Sequence, residues 1–304
     1  MQTELFEFDG FNGQTLHATL WLPEQEYRCV LQITHGMTEH VGRYVVLAQE
    51  LTNHGIVVAG FDLRGHGRNP GNPDVASFGE GGWEASIQDM HLFFETLAGR
   101  FPELTHYLLG FSLGSFLLRE YLNRYPEGVA GAAILGTGYQ PGAVLDIMMA
   151  IVKSQIKKAG FDGTTDLVKQ LSFGNYNQKF KPNRTIADWL CADSVQLDAY
   201  LADPLCRKTI SSGLFWQLLD SMKRTGRKDA YHGWNRNTPI LLISGQDDPV
   251  GDFGKGVLAV KQRMEKAGIH SVTMELLPQA RHDLLHEEAT VAAAARKALI
   301  SWLE

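Results

Sequence analysis

A serine between two glycines is the residue of this sequence best suited to chemistry. The run Gly110-Phe111-Ser112-Leu113-Gly114 follows the apolar residues Tyr107-Leu108-Leu109 and precedes a stretch with helical spacing. A serine hydroxyl becomes a useful nucleophile when it projects from a sharp strand-to-helix turn, and glycines let the backbone make that turn. The following helix then points its N-terminal amides at any anion formed beside the serine. We therefore predict that Ser112 is a catalytic nucleophile.

Two later loops supply the base and the acid that a nucleophilic serine needs. The segment Gly245-Gln246-Asp247-Asp248-Pro249-Val250 follows one predicted strand, and Pro278-Gln279-Ala280-Arg281-His282-Asp283 follows the last one. The carboxyl ends of parallel strands meet at one edge of a sheet, where open α/β sheets bind ligands. We predict that His282 is the general base and that Asp248 orients it, with Asp247 as the alternative acid.

The loop after an early predicted strand supplies a further element, His35-Gly36-Met37. Acyl transfer passes through a tetrahedral intermediate whose negative oxygen is usually bound by two backbone N–H groups. One comes from the residue after the nucleophile, Leu113, and the other from this early loop. We predict that the amides of Met37 and Leu113 form the oxyanion hole. The pair His35-Gly36 is equally typical of a tight strand exit, and the two interpretations are compatible.

The elements that position these residues alternate between short apolar runs and longer helical stretches. The predicted strands are Thr15–Leu22, Cys29–Thr34, Ile56–Phe61, His106–Gly110, Ala132–Leu135, Pro239–Ser244 and Ser271–Leu277. The predicted helices cover 41–53, 83–99, 113–125, 254–267 and 287–303. The later strands are nearly continuous apolar runs, as expected when both faces of a parallel sheet are covered. The alternation therefore predicts an α/β fold with helices on both faces of the sheet.

This alternation stops between residues 139 and 232, where the sequence has helical propensity and no strand-like run. Because a strand pattern returns near Pro239, we predict a helical cap (139–232) inserted between two parts of one core (1–138 and 233–304). Four large apolar residues of the cap are candidates for its core or for an acyl channel, namely Trp189, Phe215, Trp216 and Leu218.

Composition limits the classes of function. The chain has 304 residues and a net charge of −6, which argues against a nucleic-acid partner. Its three cysteines form no CxxC pair, and the N-terminus lacks the pattern of a signal peptide, so we expect a soluble cytoplasmic protein. Residues 139–185 carry seven basic and three acidic side chains. We interpret this excess as a solvated face, with transient contact between the cap and a membrane surface as the alternative.

Taken together, the motifs resemble a known family. They are His35-Gly36-Met37-Thr38-Glu39-His40-Val41-Gly42-Arg43-Tyr44, Asp62-x-Arg64-Gly65-His66-Gly67, Gly110-Phe111-Ser112-Leu113-Gly114, Gly245-x-x-Asp248-Pro249-Val250 and Ala280-Arg281-His282. This ordered set is similar to the monoacylglycerol lipase and bacterial lysophospholipase branch of the α/β-hydrolases, which has a serine aminopeptidase S33-type domain. The sequence differs from the family pattern at Thr38, where glycine is usual, and at Phe111, where histidine is usual.

The resemblance implies an α/β-hydrolase fold and a serine esterase that acts on monoacylglycerols, lysophospholipids or similar small-molecule esters. Two other functions remain open on the same scaffold. A serine aminopeptidase would need acidic groups in the cap to hold a substrate ammonium, whereas the first half of this cap is basic. A non-hydrolytic receptor for small ligands is the third hypothesis. The sequence indicates no obligate protein partner.

Two motifs that imitate cofactor sites carry little weight. The segment His282-Asp283-Leu284-Leu285-His286 resembles the zinc motif HExxH, but aspartate is one methylene shorter than the required glutamate and no third ligand is evident. Gly136-Thr137-Gly138 begins like a dinucleotide fingerprint, but Pro141 occupies the place of the third glycine. We therefore expect neither a metal nor an organic cofactor.

Overall fold

The computed structural model describes residues 1–304, which fold around an eight-stranded sheet. In spatial order its strands are β1 (Gln2–Asp9), β2 (Thr15–Leu22), β4 (Ile56–Phe61), β3 (Cys29–Thr34), β6 (Thr105–Phe111), β7 (Val129–Leu135), β9 (Ile240–Gly245) and β10 (Val272–Leu277). The first two strands are antiparallel to each other, and β2 is antiparallel to β4. From β4 to β10 all neighbours run parallel. The prediction of a mostly parallel sheet is confirmed.

Helices cover both faces of this sheet. They are α1 (Val45–Asn53), α2 (Gly82–Arg100), α3 (Leu113–Arg124), α4 (Gly142–Ala159), α5 (Asp166–Lys169), α6 (Ser194–Ala202), α7 (Ser212–Thr225), α8 (Lys255–Lys266) and α9 (Ala289–Leu303). Successive strand residues point to opposite faces, so Leu241 packs in the apolar cluster that includes α1 and α9, while Leu242 packs in the one that includes α2, α3 and α8. None of the helices combines the length and the apolar character needed to cross a bilayer.

The observed strands and helices differ from the predicted ones mainly at their ends and at the N-terminus. The helix predicted from residue 41 begins with a 3₁₀ turn, Val41–Tyr44, and becomes α-helical at Val45. No strand was predicted over β1, which alternates exposed and half-buried side chains and has no continuous apolar run. As an edge strand paired only with β2, it needs only one buried face.

The segment predicted as a cap leaves the sheet between β7 and β9, which are parallel neighbours. Helices α4, α5 and α7 are not separated from the rest of the fold, because Leu145, Val168 and Leu214 join the same apolar cluster as α3. Leu197 of α6 instead packs in a small separate cluster. The prediction that this segment contains no strand is wrong. Residues Thr209–Ile210 form β8, which pairs in parallel with β5 (Val75–Ala76). Two residues are too few for a periodic pattern to reveal.

Arg119 of α3 contacts both ends of this segment. Its guanidinium donates to the carbonyl oxygens of Gly138 at 3.2 Å and Thr225 at 3.0 Å, and to the Tyr231 hydroxyl at 2.9 Å. Gly138 follows β7, Thr225 ends α7 and Tyr231 precedes β9. The arginine is only 1% exposed, so these neutral acceptors compensate for the burial of its charge. The helix that starts beside Ser112 therefore also holds the two chain ends of the segment.

Candidate active site

Ser112 lies in the turn between the last residue of β6 and the first residue of α3. Its backbone has φ of 50° and ψ of −115°, a conformation that residues other than glycine rarely adopt. The turn is held from both sides, because the Ser112 N–H donates to the Leu135 carbonyl at 3.0 Å and the Ser115 hydroxyl donates to the Ser112 carbonyl at 2.6 Å. The strand-to-helix turn expected from the sequence is present.

The two glycines that flank this turn are required by close backbone contacts. A Cβ atom at Gly110 would lie 2.5 Å from the Gly114 carbonyl oxygen, and one at Gly114 would lie 2.1 Å from the Thr34 carbonyl oxygen. Any side chain at either position would push α3 away from β6 or β3. The glycine spacing thus reflects the tight approach of the helix to the strands.

His282 and Asp248 form a continuous hydrogen-bonded chain with Ser112. The His282 Nε2 atom is 2.8 Å from Ser112 Oγ, and its Nδ1 atom is 3.0 Å from Asp248 Oδ2. Asp248 also accepts from the Val250 N–H at 2.8 Å, which fixes the carboxylate. With Nδ1–H donating to Asp248, Nε2 is free to accept the serine proton. This is the arrangement that serine activation requires.

Asp247, the alternative acid, does not contact His282. Its carboxylate pairs with Lys179 at 2.5 Å and is partly exposed, whereas Asp248 is fully buried. The two adjacent aspartates therefore point in different directions from one loop, and the structure brings Asp248 to the imidazole.

Two aromatic rings enclose the His282 imidazole. The Phe111 ring centroid is 5.0 Å from that of His282, and the Trp189 centroid is 5.1 Å away. The Trp189 carbonyl also accepts from the His282 N–H at 3.4 Å. Phe111 belongs to the sheet and Trp189 to the 139–232 segment, so both parts of the chain hold the base. Phe111, which stands where the family usually has histidine, thus packs directly on the imidazole.

Residues 35–40, which we name the 35–40 loop, carry the predicted oxyanion donor. The Met37 N–H donates to no acceptor within the protein. Leu113 is the first residue of α3, where helix amides lack intrahelical partners. The neighbouring Gly36 N–H is already used, since it donates to Glu39 Oε1 at 2.6 Å. The structure therefore leaves free the two amides that the sequence predicted, those of Met37 and Leu113.

His35 is buried and points away from the serine. Its Nε2 accepts from the Leu63 N–H at 2.9 Å and its Nδ1 lies 2.7 Å from the Gly36 carbonyl. Burial lowers the pKa of this imidazole, so the ring is neutral and structural. It joins the 35–40 loop to the Asp62–Gly67 loop, which lies behind it and contributes no residue to the cavity above Ser112.

A buried charged network next to His282 was not predicted from the sequence. Arg43 donates to Asp283 at 2.7 Å and also to Glu39, while Asp283 lies 2.8 Å from His286 Nδ1. Burial would raise the pKa of Asp283, but His286 and Arg43 hold it well below its usual range. The only sequence signal of this network is the pair of charged residues Glu39 and Arg43 in the stretch that follows the buried strand β3.

The zinc-like spacing of His282 and His286 does not produce a metal site in the structure. His282 uses both ring nitrogens on Ser112 and Asp248. His286 uses Nδ1 on Asp283, and its Nε2 lies 3.1 Å from the Arg43 carbonyl. Neither ring has a nitrogen left for a metal ion.

Another group of potential ligand atoms, on His40, Asp203 and Cys206, lies within 4.8 Å. His40 Nδ1 accepts from the Gly42 N–H, so Nε2 carries the proton and donates to Asp203 at 2.8 Å. Burial raises the pKa of the Cys206 thiol, which disfavours the thiolate that a metal needs. These residues form a polar contact between the 35–40 loop and the 139–232 segment.

Ser112 and His282 open onto a cavity of about 970 Å³. We name its lining residues outside 139–232 the floor and those within 139–232 the roof. The roof supplies most of the 28 lining residues, including Phe173, Trp189 and Tyr200. Phe215 and Leu218 are instead buried in the apolar core, and Trp216 packs against it. Of the four large apolar residues singled out in the sequence, only Trp189 reaches the cavity.

Comparison with known proteins identifies the family. The family model described as serine aminopeptidase, S33, matches residues 25–289. The monoacylglycerol lipase of Mycolicibacterium smegmatis is 24% identical over 92% of this chain and 90% of its own length. The monoglyceride lipase of Homo sapiens is 26% identical over 91% of this chain and 82% of its own length.

Comparison with a solved structure shows the fold. A thermostable carboxyl esterase from Bacillus coagulans, 22% identical, superposes with a TM-score of 0.87 over 100% of this chain and 98% of that chain. This likeness confirms the predicted α/β-hydrolase fold. Since the family model covers most of the sequence, the chain belongs to the serine aminopeptidase S33 family of α/β-hydrolases, in the branch that resembles the monoacylglycerol lipases.

Proposed function

We propose that this carboxylic-ester hydrolase cleaves monoacylglycerols or lysophospholipids through an acyl-enzyme on Ser112. The observation that carries the proposal is the hydrogen-bonded chain Ser112–His282–Asp248 at the floor of a cavity of about 970 Å³. A cavity of this size is large enough to bury most of a small lipid. The names of the relatives, monoacylglycerol lipase and monoglyceride lipase, agree with such a substrate.

The proposed reaction has two steps. Ser112 Oγ attacks the ester carbonyl carbon while His282 Nε2 takes the hydroxyl proton, and the amides of Met37 and Leu113 bind the developing oxyanion. The tetrahedral intermediate collapses as His282 gives its proton to the departing alcohol oxygen, which leaves the acyl group on Ser112. In the second step a water molecule loses a proton to His282 and attacks the acyl carbon. The same imidazole then returns that proton to Ser112 Oγ, and the carboxylic acid is released.

The charge state of the cavity favours an ester over an aminoacyl amide. A peptide with a free N-terminus needs an unpaired carboxylate to hold its ammonium group. Each carboxylate that lines this cavity already has a cationic partner: Glu39 and Asp283 pair with Arg43, and Asp74 pairs with Lys208 at 2.9 Å. Glu39 additionally accepts from Gly36 and Tyr44. These pairs leave the cavity poorly equipped to bind an ammonium group.

Apolar side chains around the cavity suit an acyl chain. Phe173 and Trp189 stack with ring centroids 5.7 Å apart on the roof, and Met37 and Phe111 lie on the floor. Apolar side chains of this kind would bury the methylene groups of a substrate, each worth about 0.8 kcal/mol. We propose that this aromatic side of the cavity receives the acyl group.

The test compares wild type with Ser112→Ala on four substrate classes: p-nitrophenyl esters of increasing chain length, monoacylglycerols, lysophospholipids and aminoacyl p-nitroanilides. We expect ester hydrolysis by the wild type, little amide hydrolysis, and a loss of at least about 10⁴-fold in kcat for the variant, as is typical when a catalytic serine is removed. A fluorophosphonate probe should label wild type but not the variant. Equal turnover by both proteins would refute the assignment, and slow labelling combined with tight reversible binding of a lipid would favour a receptor.

A further inference from the structure

Thr38 has a backbone conformation that its residue type disfavours. Its φ is 63°, in the left-handed region that β-branched residues rarely adopt. It follows Met37, whose free N–H is the proposed oxyanion donor, and the Thr38 hydroxyl donates to the Met37 carbonyl at 2.5 Å. If Thr38 relaxed to a negative φ, the peptide group joining these two residues would rotate, next to the Met37 amide. Other contacts must therefore keep Thr38 in place.

These contacts come from the 139–232 segment rather than from the sheet. The Tyr200 hydroxyl lies 2.8 Å from Thr38 Oγ1, and since Thr38 donates its own proton to Met37, Tyr200 must be the donor. The Arg207 N–H donates to the Thr38 carbonyl at 2.9 Å. The hydroxyl and the carbonyl of Thr38 are thus both bound by residues 200–207.

A third contact extends the same attachment. Asp203 accepts from His40 Nε2 at 2.8 Å, two residues beyond Thr38. The Tyr200 ring also lies against the Arg43 guanidinium, 4.9 Å from its carbon to the ring centroid. Within eight residues, the segment therefore contacts the 35–40 loop at two positions and the charged network at one.

We propose that residues 200–207 hold the 35–40 loop in its anion-binding conformation, with Tyr200 as a positioning residue for the Met37 amide. The inference rests on the proposed ester hydrolysis at Ser112. The proposal means that the oxyanion hole is complete only while residues 200–207 contact the 35–40 loop. Tyr200 itself touches neither the reacting atoms nor the substrate carbonyl in this role.

The test removes the Tyr200 hydroxyl group and compares the result with a control variant. Tyr200→Phe removes the donor and keeps the ring over Arg43, and Tyr139→Phe is a matched control because Tyr139 contacts Arg263 instead of the loop. Since loss of a whole oxyanion donor costs about 10²–10³-fold in kcat, we expect a displaced donor in Tyr200→Phe to cost about tenfold. The KM for the same ester should stay unchanged, and Tyr139→Phe should behave as wild type.

Two further measurements separate positioning from a general structural role. A small boronic acid forms a tetrahedral adduct with Ser112 that imitates the transition state. Tyr200→Phe should therefore weaken the binding of this inhibitor by the same factor as it lowers kcat. Glycine adopts positive φ readily, so Thr38→Gly should remove most of the dependence on Tyr200, and the second substitution should then change kcat less than about twofold. Circular dichroism and thermal unfolding confirm that each variant is folded.

The possible results are distinct. Serine-dependent hydrolysis in wild type, with unchanged kcat and boronate affinity in Tyr200→Phe, would overturn the positioning role and leave the proposed function intact. A loss in Tyr200→Phe that appears only in KM, or that persists equally in the Thr38→Gly background, would also overturn it. Hydrolysis that does not depend on Ser112 would overturn both proposals together.

Discussion

The floor and the roof of the cavity are held in different ways. On the floor, Ser112 and His282 follow the ends of β6 and β10, and the buried Asp248 that bonds to His282 follows the end of β9. The hydrogen-bonded turns of the sheet edge fix all three residues. On the roof, residues reach the site through contacts with other parts of the chain, as Tyr200 does, and some remain largely exposed, such as Ile186 at 80%. The reactive groups are therefore set by the backbone topology of the sheet, whereas the shape of the cavity depends on tertiary contacts.

The largest expected effect is at Asp248, the buried partner of the floor residue His282. Asp248→Asn replaces the carboxylate that holds the His282 tautomer, so kcat for ester hydrolysis should fall by about 10⁴-fold. Asp247→Asn provides the matched control one residue away, because that side chain pairs with Lys179 at the surface. Steady-state kinetics on one p-nitrophenyl ester suffice. A similar loss in both variants would mean that the loop as a whole, and not the Asp248 carboxylate, supports catalysis.

The next effect concerns the charged network beside His282, whose members Glu39, Arg43 and Asp283 belong to the floor. Arg43→Met leaves the buried carboxylates of Glu39 and Asp283 without their cation, which should lower the free energy of unfolding by about 3–5 kcal/mol. Arg184→Met removes an exposed pair with Asp198 and should cost at most about 1 kcal/mol. Urea titration of both variants measures the difference. If the two costs were equal, the network would contribute no more than a surface pair.

A smaller effect is expected for the roof residue that contacts the base. Trp189→Ala removes one of the two rings beside His282, and aromatic contacts of this kind are worth about 0.5–1.5 kcal/mol. We therefore expect kcat/KM to fall by about two- to tenfold. Trp189→Phe keeps a ring at this position and should retain most of the activity. Unchanged kinetics in Trp189→Ala would show that the floor alone positions the imidazole.

The smallest effect, expressed per pH unit, concerns His66 in the loop behind the floor. It tests how much this buried histidine makes the free energy of unfolding depend on pH. Burial, assisted by nearby His35, lowers the pKa of His66 to about 3. Below about pH 6.5 the unfolded chain binds a proton at this histidine that the folded protein does not bind until about pH 3. The free energy of unfolding should therefore decrease on acidification through this range, by up to about 1.4 kcal/mol per pH unit.

The measurement is the slope of unfolding free energy against pH, obtained from urea titrations between pH 6.5 and pH 4.5. His66→Asn removes one titrating group and should reduce the slope, even if the stability of the variant at neutral pH is lower. A slope that is unchanged in His66→Asn would assign the acid sensitivity to other groups.

The same contrast explains what the sequence could predict. Buried parallel strands are continuous apolar runs and end in loops with recognisable residues, so Ser112, His282 and the pair Asp247/Asp248 could be located from the sequence. The sequence could not decide between the two aspartates, because only the direction of each side chain distinguishes them. In the structure Asp248 points to His282 and Asp247 points to Lys179. An edge strand such as β1 needs only one buried face and gives a weaker signal.

Contacts across long sequence distances could not be predicted. Thr38 was recognised as a departure from the family pattern, but nothing in its sequence neighbourhood indicates its positive φ or its bond to Tyr200, 162 residues away. The pairing of β8 with β5 and the engagement of Arg43 by Asp283 have the same origin. In each case the two partners lie far apart in the sequence and are brought into contact only by tertiary packing, which leaves no local pattern.

The position of Arg119 has a consequence for exchanging the roof between related enzymes. Strands β7 and β9 are neighbours, so a replacement segment of another length could join them without altering the order of the sheet. The Arg119 guanidinium, however, donates to the Gly138 carbonyl directly before the present segment and to Thr225 and Tyr231 near its end. A grafted segment that does not place carbonyl oxygens at these positions would leave the buried Arg119 guanidinium of α3 without these hydrogen-bond acceptors. Chimaeras should therefore be spliced outside these two junctions, or should replace Arg119 with an apolar residue.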